Sequence, residues 1–363
     1  MRTHFQAYAD LQSKIRIGTY DRTTKELVEA RVGAELAPAP ADVKDPDYIP
    51  MMGIRNETRR QLEILRLQSI SCNLTSDWPM LITAHIKAKS KINLSPAENN
   101  FIVNVPDSET DKVAPALPVY PGAYMLINNN IDVPCGLAQG TRCRVVGWPH
   151  FPPHTEFQDG FYHGARVRLP VRRNSFGSFE RADPDYIYVE LMSHPLRFKP
   201  LGQPKHLPCN VVALPMCYKE MRVQLRNLLL NPRKSVKLKT LQLPLRPANA
   251  LTTYGVQGCE FSRAIIVETN AMCFYTQISR GTQGLQSIVI SKALPKNFKP
   301  SANLQVISEI ERLRECHEAT LQKFKQDQEE NQQPNDTYDD QQKESSDDDT
   351  QYEVFSVPGI SSL

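Results

Sequence analysis

Two polar pairs, Gln257-Gly258 and Ser279-Arg280, stand where chemistry could be done. They lie between and before two short apolar runs, Ala264-Ile265-Ile266-Val267 and Ser287-Ile288-Val289-Ile290. Each run is bounded by turn-forming or polar residues and is too short for a helix, so both read as buried strands of a parallel sheet. Ligands of open α/β sheets gather at strand ends. Thr252 and Tyr254 precede the first pair. A threonine hydroxyl can bond a phosphate and a tyrosine ring can stack on a base. Tyr254 could equally be a half-buried strand residue, and Arg280 could cap a helix or pair with an acid.

Other chemistries find little support. The chain contains no G-x-x-x-x-G-K-[ST] phosphate loop, and the nearest approach to an acidic strand end is Ile265-Ile266-Val267-Glu268. His150 and His154 have H-x-x-x-H spacing, but Pro149, Pro152 and Pro153 forbid the helix that would align them, so no metal site is expected. No Ser-His-Asp arrangement or nucleophilic cysteine context stands out. The eight cysteines form no C-x-x-C pair and read as reduced thiols. No stretch approaches a membrane span.

The elements that must position these groups follow from pattern. Residues 1–33 predict two helices around Gly18, with an apolar face of Phe5, Tyr8, Leu11, Ile15, Leu27 and Val28. A Pro- and Asp-rich loop (34–47) leads to a strand, a turn at Arg55-Asn56 and a helix that Asn56 can cap. Trp78–Ala88 reads as one strand, and 89–117 as a polar loop of undefined fold. Residues 118–148 predict β-hairpins punctuated by Gly136, Gly140 and Gly147, followed by strands at Arg166–Val171 and Tyr186–Leu191. Helical spacing returns at Leu304–Phe324, and beyond about Gln326 the composition predicts disorder.

Net charge is +3 but unevenly spread. Of 43 Lys and Arg and 40 Asp and Glu, residues 301–363 hold 5 and 15, which leaves the preceding 300 with 38 and 25. A basic body with an acidic tail suits a polyanion binder whose tail competes for the same surface, although solvated surface charge alone gives the same composition. Arg166, Arg168, Arg172, Arg173, Lys219, Arg222, Arg226, Arg233, Lys234, Lys237 and Lys239 are the candidates for such a path.

Taken together, Gln242-Leu243-Pro244-Leu245, Ala250, Thr252, Gln257-Gly258, Tyr275, Ile278, Ser279-Arg280 and Thr282 resemble the last two motifs of the Pif-one family of superfamily 1B DNA helicases, including transposon-borne, Helitron-type relatives. Met1-Arg2-Thr3, Leu11, Ile15-Arg16 and Gly18 are similar to the family's fourth motif. Met125-Leu126, Asn129-Asn130, Gly136-Leu137 and Gly140-Thr141-Arg142 are similar to the segment that opens its SH3-like barrel. Gly255 stands where the family has a basic residue, Val256 where it has Ser and Glu260 where it has Thr, which implies a weakened grip on DNA.

The resemblance implies an α/β, RecA-like second lobe of a P-loop NTPase with an inserted small SH3-like β-barrel, a C-terminal helix and a disordered tail. The implied boundaries are 1–117 and 241–296 for the RecA-like domain, 118–240 for the insert, 297–326 for the helix and 327–363 for the tail. The chain would be the C-terminal half of an ATP-dependent helicase, lacking the lobe with the phosphate loop and acidic pair. ATP and Mg²⁺ would enter only with that missing lobe. Arg280 would be an arginine finger assisted by Arg2, Gln257-Gly258 would face the nucleotide, and Thr252, Tyr254, Asn56 and Arg142 would face single-stranded DNA. The expected compartment is the nucleus, with the mitochondrion as the alternative suggested by a basic N-terminus. A non-enzymatic nucleic-acid-binding module, or a decayed transposon remnant, is the competing expectation.

Overall fold

The computed structural model describes residues 6–330, apart from 40, 42–44, 76, 89–93, 149–150, 193–202, 205, 225–234 and 302–303. Phe5, His150 and the tail beyond 330 therefore lie outside the described residues, as do Arg226, Arg233 and Lys234. Met1–Asn303 form one compact unit.

Helices α1 (Gln6–Arg16) and α2 (Arg22–Glu29) flank Gly18, whose φ of +76° is the left-handed turn that glycine supplies without strain. Asp21 caps α2 by accepting from the Thr24 N–H at 2.7 Å. Tyr8, Leu11, Ile15 and Val28 are buried as the helical period requires. Leu27 is not: it points to solvent, one position off the buried stripe.

Four tripeptides far apart in the chain make the central sheet. They are β1 (Met51–Gly53), β15 (Ala250–Thr252), β16 (Ala264–Ile266) and β17 (Ile288–Ile290), all parallel in the order β15-β1-β16-β17. Helix α3 (Asn56–Asn73) follows β1, and the short α5 (Phe274–Ile278) crosses over between β16 and β17. Met52, Leu251, Ala264, Ile266, Ile288 and Ile290 join α1 and α5 in one apolar core.

A mainly antiparallel body occupies the interval between β1 and β15. The stretch read as a single strand breaks at Ala84 into β2 (Met80–Thr83) and β3 (His85–Ala88), which enter different sheets. The segment read as loop contains α4 (Pro96–Asn104), started by a Ser95–Glu98 capping box, and then β4 (Ala116–Val119). Next come β5 (Tyr124–Ile127), β6 (Arg142–Gly147), β7 (Glu156–Tyr162), β8 (Ala165–Arg173), β9 (Phe179–Arg181) and β10 (Tyr186–Leu191). Then β11 (Val211–Pro215), β12 (Cys217–Gln224), β13 (Ser235–Gln242) and β14 (Leu245–Pro247) complete the body. The sheets run β11-β10-β6-β5-β14, β12-β13-β3 and β4-β2-β8-β7.

Two expectations change here. Among the described residues no sheet closes into a barrel, because the edges β11 and β14 do not pair with each other. The body also takes strands from both sides of the insert boundaries drawn from sequence, since β2, β3 and β4 precede residue 118 and β14 follows 240. Alternation marks a half-buried strand but not its partner, so local pattern could not assign these strands to a sheet.

A second unit, Leu304–Leu363, contains α6 (Leu304–Glu330), which begins later and ends later than the 297–326 expected. Residues before it serve the first unit: Phe298 packs edge-on against Phe274 at 5.2 Å.

The packing of α1 against α5 leaves no room at Gly281. A Cβ built there would lie 2.5 Å from Ser287 Oγ and 3.1 Å from both Ile288 Cγ1 and Tyr8 Oη. Gly281→Ala is therefore expected to lower unfolding free energy by about 1–3 kcal/mol in denaturant titration. An unchanged midpoint would mean that Ser287 and Tyr8 yield freely.

Candidate nucleotide and DNA site

Because the sheet is parallel, Gly53, Thr252 and Ile266 all end on one edge. Glu268, just beyond β16, organises it. Its carboxylate accepts from Thr58 Oγ1 at 2.7 Å, Arg55 Nε at 2.9 Å and the Ile54 N–H at 3.2 Å, and Arg55 Nη2 lies 2.6 Å away. Burial pushes this carboxyl up, but hydrogen bonds from Thr58, Arg55 and the Ile54 and Arg55 N–H groups outweigh it and hold the pKa at about 2. The carboxylate thus serves the N-terminus of α3 from another strand. Asn56 does not cap that helix: Arg55 is the N-cap, without a side-chain bond, and Asn56 is the exposed first helical residue.

Thr253 turns the chain over β1, donating from N and Oγ1 to Gly53 O at 2.8 and 3.1 Å. The turn closes through Val256 N–H to Thr252 O at 3.1 Å and Gly255 N–H to Thr252 Oγ1 at 3.1 Å. Val256 is fully buried in the sheet core, which accounts for an apolar side chain there. Tyr254 is 74% exposed, so the half-buried strand alternative falls. Gln257 is exposed, and Gly258 takes φ +78°.

Gln277 joins this turn to α5. Its buried amide donates to Thr253 Oγ1 at 2.9 Å and to Glu268 O at 2.8 Å. The bridging role of this amide needed the fold, because its two partners lie 24 and 9 residues away in the chain.

Ser279-Arg280 does not sit with this cluster at the carboxyl ends of the strands. In a parallel βαβ unit the helix runs back against the strands, so α5 delivers Arg280 to the amino edge. There Phe261 N–H donates to Arg280 O at 2.9 Å and Thr282 N–H to Phe261 O at 3.0 Å. The Arg280 side chain is 6% exposed. It donates from Nε to Thr276 O at 2.9 Å, from Nη1 to Cys259 O at 3.2 Å and from Nη2 to Ser279 Oγ at 2.8 Å. Tyr8, whose hydroxyl donates to Ile278 O, lies within reach of its charge; burial pushes that phenol up to about 12 against the Gln12 hydrogen bond and the Arg280 charge.

Arg142 lies apart from Thr252 and Tyr254. Its guanidinium sits over Phe261 at 5.2 Å and Tyr48 at 5.8 Å, joining β6 to the segment before β16. Arg2 lies outside the described residues. The structure thus brings Thr252, Tyr254, Gln257 and Gly258 onto one turn, links that turn to Arg280 through Cys259, places Asn56 at the start of α3 on the same sheet edge, and leaves Arg142 elsewhere.

No family model matches the sequence, and no curated protein matches it. Solved structures do. Bacteroides Pif1 bound to ssDNA superposes with a TM-score of 0.51 at 13% identity, over 87% of this chain and 55% of that one. The chain has a Pif1-like helicase fold. The Pif1 helicase of Candida albicans gives 0.49 at 14% identity, over 86% of this chain and 59% of that one. Bacteroides Pif1 in complex with ADP-AlF3 and ssDNA gives 0.49 at 13%, over 87% and 55%. The chain spans between half and three-fifths of the length of these relatives. Of the residues on which the resemblance rested, Ala250 and Thr252 lie in β15 of the parallel sheet and Gln257-Gly258, Tyr275, Ile278, Ser279-Arg280 and Thr282 in its connections, whereas Gln242-Leu243-Pro244-Leu245 spans β13 and β14 of the other sheets.

The Glu268 network makes a pH prediction. A carboxylate with a depressed folded pKa stabilises fully above its unfolded pKa, and that contribution is lost as pH falls through the folded value. Glu268→Gln should therefore shallow the loss of stability between about pH 4.5 and about 2, followed by thermal melts across that range. An identical acid profile would remove Glu268 as its source.

Proposed function

We propose that this chain is the second RecA-like lobe, with its accessory β-body, of a DNA helicase that moves on single-stranded DNA. The observation that carries the reading is the hydrogen-bonded unit formed by the Thr252–Gly258 turn, Gln277 and Arg280 on a Pif1-like sheet. A shift of Arg280 at one edge would pass through Cys259 and Gln277 to Tyr254 at the other, which is how a motor couples nucleotide state to DNA grip. The Bacteroides relative's structure with ssDNA supports the choice of partner.

The chain's own residues do not fit a Mg²⁺-nucleotide unaided. It has no phosphate loop, and Glu268, the acid just beyond β16, is already committed to Arg55, Thr58 and Ile54. ATP would be held by another RecA-like lobe, to which this chain adds Arg280, with Arg2 in the assisting role that the resemblance implies. To act as a finger Arg280 must exchange Thr276 O and Cys259 O for phosphate oxygens. Its burial favours a second reading, in which the lobe binds DNA without driving a motor.

Two measurements separate these. With a phosphate-loop lobe supplied in trans, Arg280→Ala should lower ATP turnover by roughly 10³–10⁵ if it is a finger. No stimulation by the wild-type chain would favour the binding module. In either case, Tyr254→Ala should weaken single-strand binding in fluorescence anisotropy by about 1–3 kcal/mol. Gly255→Lys should tighten it and steepen the salt slope by about 0.7, one phosphate contact. Its Cβ would meet Thr252 Oγ1 at 3.2 Å and Thr252 O at 3.3 Å, so the turn must give by a few tenths of an ångström to admit it. Unchanged affinity in both variants would remove the turn as a DNA contact.

A further inference from the structure

The basic residues of 219–239 are not equivalent once folded. In β12 and β13 burial alternates strictly: Met221, Val223, Val236 and Leu238 are buried against α4, while Tyr218, Glu220, Arg222, Lys237 and Lys239 face solvent. The antiparallel register sets Arg222 opposite Lys237, Glu220 opposite Lys239 and Tyr218 opposite Leu241, so all of these share one face. Lys219 lies on the other face, with Nζ 3.5 Å from Asn128 O, and burial lowers its pKa.

Like charges directly opposite on a sheet are destabilising, yet Arg222 and Lys237 are paired in this way. Among the described residues no ion pair involves Arg222, Lys237 or Lys239. Glu220 shares the face opposite Lys239, and Asp111 accepts the Arg222 N–H at 3.1 Å. Tyr218 is 66% exposed, with the Lys239 ammonium over its ring at 4.6 Å. Cations set against one another beside an open aromatic ring match the two features of a single strand, a charged backbone and unstacked bases.

We propose that the outer face of β12–β13 is a second contact for single-stranded nucleic acid, with Arg222, Lys237 and Lys239 on the phosphates and Tyr218 beneath a base. The inference rests on the nucleic-acid reading above for its choice of polyanion, but uses none of the residues of the Thr252–Gly258 turn.

The test is anisotropy of the full chain with a labelled oligothymidylate across a sodium chloride series. The triple variant Arg222→Gln, Lys237→Gln, Lys239→Gln should flatten the log-affinity against log-salt slope by about 2, three contacts at about 0.7 each. Tyr218→Ala should weaken binding roughly 5- to 100-fold while Tyr218→Phe retains it, the signature of stacking rather than of the hydroxyl. If the triple variant keeps the wild-type slope or binds more tightly while Tyr254→Ala still weakens binding, this face is overturned and the turn stands. A wild-type chain that does not bind the oligonucleotide overturns both.

Discussion

A single buried amide sets the terms for the candidate site. Gln277 must place its Nε2 protons on Thr253 Oγ1 and Glu268 O at once, and it can do so only if the turn after β15 and the end of β16 lie side by side. That juxtaposition requires the parallel order β15-β1-β16-β17, and β1 between them supplies Gly53 O to Thr253. A buried polar group left without partners costs about 1–3 kcal/mol, so the network and the sheet order reinforce each other.

The same edge is tied to α3. Glu268 neutralises Arg55 and accepts from the Ile54 and Arg55 N–H groups just before the helix, while Glu63, further along α3, accepts from the first N–H of β15 at 2.6 Å and from Asn249 at 3.1 Å. Burial raises the Glu63 carboxyl to about 7 against those hydrogen bonds. One helix therefore carries a depressed carboxylate's partners at its start and a raised carboxyl in its middle, and both bear on the strands that hold the turn. Charge is used here to fix the position of backbone, and the groups left to meet a ligand are those on the turn and on exposed sheet faces.

Arg280 illustrates how tertiary direction changes the meaning of a motif. Its sequence neighbours mark it as a phosphate partner by resemblance, whereas the fold brings it out at the amino edge, packed on carbonyls and beside Tyr8. The turn at Thr252–Gly258 starts at one edge and ends at the other, and so is the element able to connect them.

Much was legible from local pattern. The two helices around Gly18 and the strands at 264–266 and 288–290 follow from period and from turn residues, because side-chain burial alternates at fixed spacing in each. Three things were decided only in three dimensions. Tyr254 is exposed and Leu27 is exposed because neighbouring elements cover one face and not the other. Asn56 loses the capping role its residue type suggests because it is already the first helical residue, with Arg55 in the cap position. The β-strands of 80–247 choose partners on both sides of the expected insert, so that among the described residues the sheets are open where a barrel was anticipated. Sequence determined which segments are strands and which residues carry charge, since those properties are local; the fold alone decided which strands pair and which charges meet, since pairing depends on segments distant in the chain.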